Sequence, residues 1–161
     1  MGEEQRCGCA AINARSETVL EKPTFRSVAV RRRALVPADG YYESQDSGTG
    51  KIPMFMHSED GGVVAFAGLY EFWRDPAVPG GGEWKWMMTA TILTRSAADA
   101  SGHIHDRTPV IEPKGLREER PDPGITHKGE IRSLLDAIPD PHCSLAWWGR
   151  SWATCAATGR N

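Results

Sequence analysis

A chain of 161 residues, 40% hydrophobic and 25% charged, fits one soluble globular domain. Its formal net charge of −2 sets up no global positive field, so any anionic partner must be held by a local patch. No apolar run reaches the roughly 20 residues of a membrane span, and Met1-Gly2-Glu3-Glu4 does not open a secretory signal, so the expected location is the cytoplasm with no membrane partner.

The 17 glycines and 11 prolines favour a loop-rich fold over a helical bundle. Residues 10–20, around AINARSETVL, form a short apolar-polar segment. The spacing of Phe25, Val28 and Ala29 predicts a short helix over 21–33, with Pro23 in its first turn and Arg31, Arg32 and Arg33 at its end. Residues 34–44 (ALVPADGYYES) read as a strand broken by Pro37 and by the Asp39-Gly40 turn signal. A loop at 45–51 follows, then strands at 52–58 and 62–73 around a turn at 59–62. Beyond a long loop at 74–83, residues 84–94 give a strand rich in Thr and Ile. Residues 95–104 suggest a short helix ended by Gly102, and 108–112 one more strand. Ile131, Leu134, Leu135 and Ile138 predict a helix over 129–138, stopped by Pro139. The sum is a mixed α+β domain on antiparallel strands.

Cys7 and Cys9 lie near one end and Cys143 and Cys155 near the other, a spacing that matches no ordinary zinc site. Neither a metal nor a cofactor is expected. Structural disulfides are rare in cytosolic chains.

Three polar stretches close apolar runs: INARSE (12–17), PADGYYES (37–44) and GHIHDRTP (102–109). In an extended segment His103 and His105 point the same way. His105 beside Asp106 could serve as a general acid or base, or simply cap a loop at a strand end. Glu43 could be a desolvated carboxylate of raised pKa, or a solvated strand-end residue. Asn13 and Arg15 share a strand face, fit to grip a phosphate or a base edge, unless Arg15 merely pairs with Glu17 or Glu21. The Arg31–Arg33 run is a solvated helix end or a local phosphate patch.

Together, INARSETV, FRSVAVRRRALVPADGYYES, AGLYEFW and GHIHDRTPVI resemble, in order and spacing, the SRAP family (SOS-response-associated peptidases, abasic-site processing proteins) over about residues 11–142. The resemblance implies a single domain with a mostly antiparallel, barrel-like β core and flanking short helices. It implies binding of single-stranded DNA at abasic sites, as a monomer, and association with the bacterial nucleoid on damage. The family's chain opens with a cysteine whose amine and thiol close a thiazolidine on the ring-opened sugar, and family members also remove their own leader as peptidases. Carried over, Asn13 positions the cysteine and sugar, Glu43 is the general acid/base, and His105 assists proton transfer with Asp106 orienting it. Arg15, Arg31 and Arg33 are the DNA-binding residues.

Position 2 here is Gly2, and Cys7 follows Arg6, so the expectation is a chain lacking its terminal nucleophile and its usual first segment. Residues 143–161 hold three of the six tryptophans, show neither period, and read as an aberrant tail. Read one base upstream, permissible codons there give a Val-Val-Gly-rich run resembling the family's last strand, so the tail is expected to be out of frame. A non-catalytic DNA-binding module using Arg15 and the arginine run is the alternative from another class. A cysteine hydrolase pairing Cys7 or Cys9 with His105 is a third.

Overall fold

Alternation along Asn13-Ala14-Arg15 sets the pattern for the larger sheet: Ala14 is buried and its two neighbours are exposed. The computed structural model describes residues 11–75, 78, 85–97, 105–117 and 122–139, and the backbone of 143–147. The chain divides into two compact units, one from residues 1–36, 65–95 and 109–139, the other from 37–64, 96–108 and 140–161.

In the first unit, β1 (Asn13–Arg15) runs parallel to β6 (Trp86–Ser96), which pairs antiparallel with β5 (Val64–Arg74). The strand order is β1-β6-β5-β2, where β2 is Arg33–Ala38, and the short β7 (Arg107–Pro109) also pairs with β6. Two helices, α1 (Arg26–Arg31) and α2 (Lys128–Asp136), lie over one face of this sheet. Ala29 of α1 and Ile131 and Leu135 of α2 join Ala14, Leu69 and Leu93 of the strands in one core. Period 3.6 in the helices and period 2 in the strands thus converge on the same apolar layer.

The expected helix over 21–33 is shorter. Residues 18–25 form successive turns, with the Lys22 and Phe25 amides bonding the Thr18 and Lys22 carbonyls at 3.0 Å, so Pro23 precedes the helix. Arg32 leaves helical geometry at φ −134°, and Arg33 opens β2. Two arginines pin α2. Arg132 donates to the Ser16 and Glu17 carbonyls at 2.9 and 3.0 Å, and Arg95 to those of Ile138 and Pro139 at 2.8 and 3.0 Å. The first pair holds the helix against the turn that leaves β1.

The second unit holds an antiparallel sheet ordered β3-β4-β8, from Gly40–Asp46, Lys51–Ser58 and Cys143–Trp147. The β3–β4 turn is closed by Asp46, whose carboxylate accepts the Gly48 amide at 2.9 Å, and by Ser47, whose hydroxyl donates to the Gly50 carbonyl at 2.7 Å. Gly48 sits at φ 76°, a conformation that favours glycine there.

The architecture is α+β and mostly β, as expected. The sheets of the described residues are open rather than closed into a barrel. Cys143–Trp147, at the start of the expected aberrant tail, pairs with Met54–Ser58 of β4. Most of the helix expected over 95–104 lies outside the described residues, but its first two residues extend β6 instead.

Gly40 is a packing requirement of this sheet. A Cβ there would stand 2.3 Å from the Met56 carbonyl oxygen and 2.7 Å from the Phe55 ring. Gly40→Ala should destabilise the fold by about 1–3 kcal/mol through forced backbone displacement. Urea melts would read this as a lowered midpoint; an unchanged midpoint would mean the hairpin shifts without cost.

Candidate functional site

Strand β3 carries Tyr41 and Glu43 on one face and Tyr42 and Ser44 on the other. The first face is the more enclosed one: Tyr41 and Glu43 pair in register with Met56 and Met54 of β4. On the outer face Tyr42 packs on Phe55 at a ring separation of 4.9 Å, and Phe55 stacks on His57 at 5.6 Å. The Tyr41 hydroxyl meets the hydroxyl of Thr108, which is only 2% exposed, at 3.3 Å. That link ties β3 to residues 105–108.

This arrangement brings Glu43 and His105 together, as far as their charges are concerned. Burial pushes the Glu43 carboxyl above the ordinary carboxylate range, and the positive end of His105 pulls the other way without cancelling it. Desolvation wins because the carboxylate is half-buried while the imidazole is exposed and screened by water. The His105 ring is held from one side. Its Nδ1 lies 3.1 Å from an Asp106 carboxylate oxygen, 3.2 Å from the Arg107 carbonyl and 3.0 Å from the Arg107 amide. The Arg107 amide donates to Nδ1 and the Asp106 carboxylate lies beside it, so this nitrogen is engaged whichever tautomer the ring takes. The Ala97 amide donates to the Asp106 carbonyl at 3.1 Å and fixes the start of this segment. His103 lies outside the described residues.

Asn13 and Arg15 belong to the first unit, both exposed, on the face of β1 turned away from the helices. The three consecutive arginines have three different surroundings. Arg31 ends α1 with its side chain exposed. Arg32 forms an ion pair with Glu71, and its guanidinium lies 5.8 Å from the centre of the Phe72 ring. Arg33 is 5% exposed. It donates to the Ala29 and Val30 carbonyls at 3.3 and 2.6 Å, to the Asp122 carbonyl, and to the Ile125 carbonyl at 2.9 Å. Burial lowers its pKa from the usual arginine value, with the Asp122 charge opposing. A guanidinium spent on four carbonyls has no fork left for a phosphate, so Arg33 is an architectural residue and leaves the DNA-contacting set. It satisfies carbonyls at the open end of α1 while holding the 122–125 loop.

Among the described residues no three His, Cys, Asp or Glu side chains cluster to hold a metal ion, and no helix is long and apolar enough to cross a membrane.

The profile of the SOS response associated peptidases (SRAP) matches residues 2–148. The chain belongs to the SRAP family. Among its relatives, the abasic site processing protein YoqW of Bacillus subtilis is 38% identical over 135 residues, covering 83% of this chain and 57% of that protein. The abasic site processing protein YedK of Escherichia coli is 33% identical over 110 residues, covering 66% of this chain and 46% of that one. A crystal structure of a protein from Bacteroides thetaiotaomicron superposes with a TM-score of 0.74 at 28% identity, over 88% of this chain and 60% of that one. The SRAP chain described here spans about half the length of the curated relatives it matches.

Two features of the site escaped sequence reading. The Tyr41–Thr108 link joins residues 67 positions apart, and no local pattern announces it. The burial of Arg33 was hidden in a run of like residues.

Substitution separates the arginines. Arg33→Ala should cost about 2–4 kcal/mol, because it strands buried carbonyls, whereas Arg31→Ala should stay within about 0.5 kcal/mol. Equal losses in chemical denaturation would refute the architectural assignment of Arg33. For Glu43 the sign follows from its raised pKa. The folded state disfavours the carboxylate, so Glu43 lowers stability above its folded pKa, and that penalty vanishes below the ordinary carboxylate pKa. Glu43→Gln should therefore raise Tm at neutral pH, with the gain shrinking toward about pH 4. Thermal melts across that range check it, and a variant less stable than the native chain at neutral pH would count against a desolvated carboxyl.

Proposed function

We propose that this chain is built to process abasic sites in single-stranded DNA once a terminal cysteine is supplied, with Glu43 and His105 as its proton-transfer pair. The observation that carries this reading is the half-buried carboxyl of raised pKa within electrostatic reach of a histidine whose Nδ1 is already engaged. Membership of the SRAP family, and relatives named as abasic site processing proteins, supply the substrate class.

The ring-opened abasic sugar presents an aldehyde. An N-terminal amine adds to that carbon, and loss of water leaves a Schiff base. A thiol on the same residue then adds across the C=N bond and closes a thiazolidine. Water leaves only if its oxygen is protonated, and a carboxyl whose pKa burial raises is suited to supply that proton. Ionised, Glu43 takes a proton back when the ring opens. His105 accepts the proton lost by the attacking nitrogen. Within the first unit, Asn13, Arg15 and Arg31 are the residues that meet the DNA. The same acid/base pair serves self-removal of a leader peptide. In the alternative reading, the arginines and Asn13 bind single-stranded DNA without covalent chemistry.

The test uses this chain with a cysteine as its first residue and single-stranded DNA carrying one abasic site. Denaturing gels should show a heat-stable adduct, and borohydride should trap the Schiff base that precedes it. Glu43→Gln and His105→Ala should each slow adduct formation by about 10²-fold or more. Both should leave non-covalent affinity for a strand with a tetrahydrofuran abasic analogue within about twofold. Binding without any trapped species would favour the non-covalent module, and no binding at all would end the reading.

A further inference from the structure

We propose that the face of the five-stranded sheet turned away from the helices is a stacking track for nucleobases of single-stranded DNA, running from Asn13 and Arg15 to Phe72 and Met88; the proposal rests on the DNA reading above. Sidedness is fixed by the core. Ala14, Leu69 and Leu93 point at the helices. Their alternation partners therefore point the other way. Register places Asn13 beside Ile92 and Arg15 beside Thr94, then Tyr70 opposite Ala90, Phe72 opposite Met88 and Arg74 opposite Trp86. All of these lie on the open face and within one compact unit.

This face is apolar where a solvated strand end would be polar. Phe72 is 48% exposed, Trp86 60% and Met88 68%. A contiguous exposed patch of large side chains marks a binding surface more often than a solvated one. The Phe72 ring is also pre-set: Tyr70 meets it edge-on at 5.9 Å, and the Arg32 guanidinium lies 5.8 Å from its centre. A ring braced by two neighbours stacks on a base at little cost in side-chain entropy.

Charge selects the occupant. The open-face positions of β1, β5 and β6 named above include Arg15 and Arg74 and no carboxylate, while Glu71 points to the helix side and is paired with Arg32. Arginines interleaved with aromatic rings suit a polyanion with flat apolar faces, which describes single-stranded DNA. Ile92, the residue beside Asn13, lies four residue steps along β6 from Met88, which is about 13 Å of track and long enough for a few nucleotides. Duplex bases are stacked on one another and present no free face, so the track distinguishes single strands from duplex.

The experiment titrates the full chain against a labelled single-stranded oligothymidylate carrying one tetrahydrofuran abasic analogue, across a salt series, by fluorescence anisotropy. The Phe72→Ala/Met88→Ala pair should weaken binding about tenfold or more and leave the salt slope unchanged, because no phosphate contact is lost. Phe72→Tyr, which keeps the ring, should restore the affinity when combined with native Met88. Arg15→Ala should weaken binding and reduce the salt slope by about one. If the double variant binds like the native chain while Arg15→Ala does not, the track is wrong and the DNA reading stands. If the double variant loses salt slope, or Phe72→Tyr binds as poorly as Phe72→Ala, stacking is not the cause and the track is wrong. If the native chain does not bind the strand, the DNA reading itself falls and takes the track with it.

Discussion

Burial of Ala14, Leu69 and Leu93 beneath the two helices is the constraint on which the first unit depends. Because strand side chains alternate with a period of two, committing these three residues to the core commits their neighbours to the other face. A one-residue slip of β1 against β6 would bury Asn13 or Arg15 and expose Ala14, at the cost of an unpaired buried polar group. The register Ala14–Leu93 is thus held by energy far from any ligand, and the outward aim of Asn13 and Arg15 follows from it. Three residues suffice for β1 because Arg132 and Arg95 tie the flanking turn and strand to α2 through carbonyl oxygens.

Guanidinium groups carry much of this architecture. Arg33, Arg95 and Arg132 each donate to at least two backbone carbonyls, at helix ends and in turns where no ladder partner is available. A planar donor with five N–H groups can serve two carbonyls at once, which a lysine ammonium does less well.

Much of the fold was legible in the sequence wherever periodicity was long. The 129–138 helix, the strands at 52–58 and 62–73 and the turn between them agree with α2, β4 and β5 to within a few residues. Short elements were less legible. The helix over 21–33 shrank because its first half is held in turns by Thr18 and Lys22 carbonyls, a competition that propensity does not record. Glu43 and His105 could be named as candidates from their motifs, but their electrostatic interaction is tertiary, across 62 positions of sequence, and no local pattern announces it. The run Arg31–Arg33 shows the limit most plainly. Three identical side chains read as one solvated patch, yet helix end, ion pair and interior are assigned to them one after another by a rotation of about 100° per helical residue and a change to strand geometry.

The raised pKa of Glu43 is set by burial acting against the His105 charge. Desolvation scales with how completely the carboxylate loses water, and β3 turns that side chain toward Met54 and the enclosed face of its sheet. Attraction to His105 scales with how little water lies between the charges, and the imidazole is exposed with Asp106 already beside its Nδ1. Water around the exposed ring weakens that attraction, whereas nothing offsets the water the half-buried carboxylate has lost, so burial prevails and the pKa stays above the ordinary range.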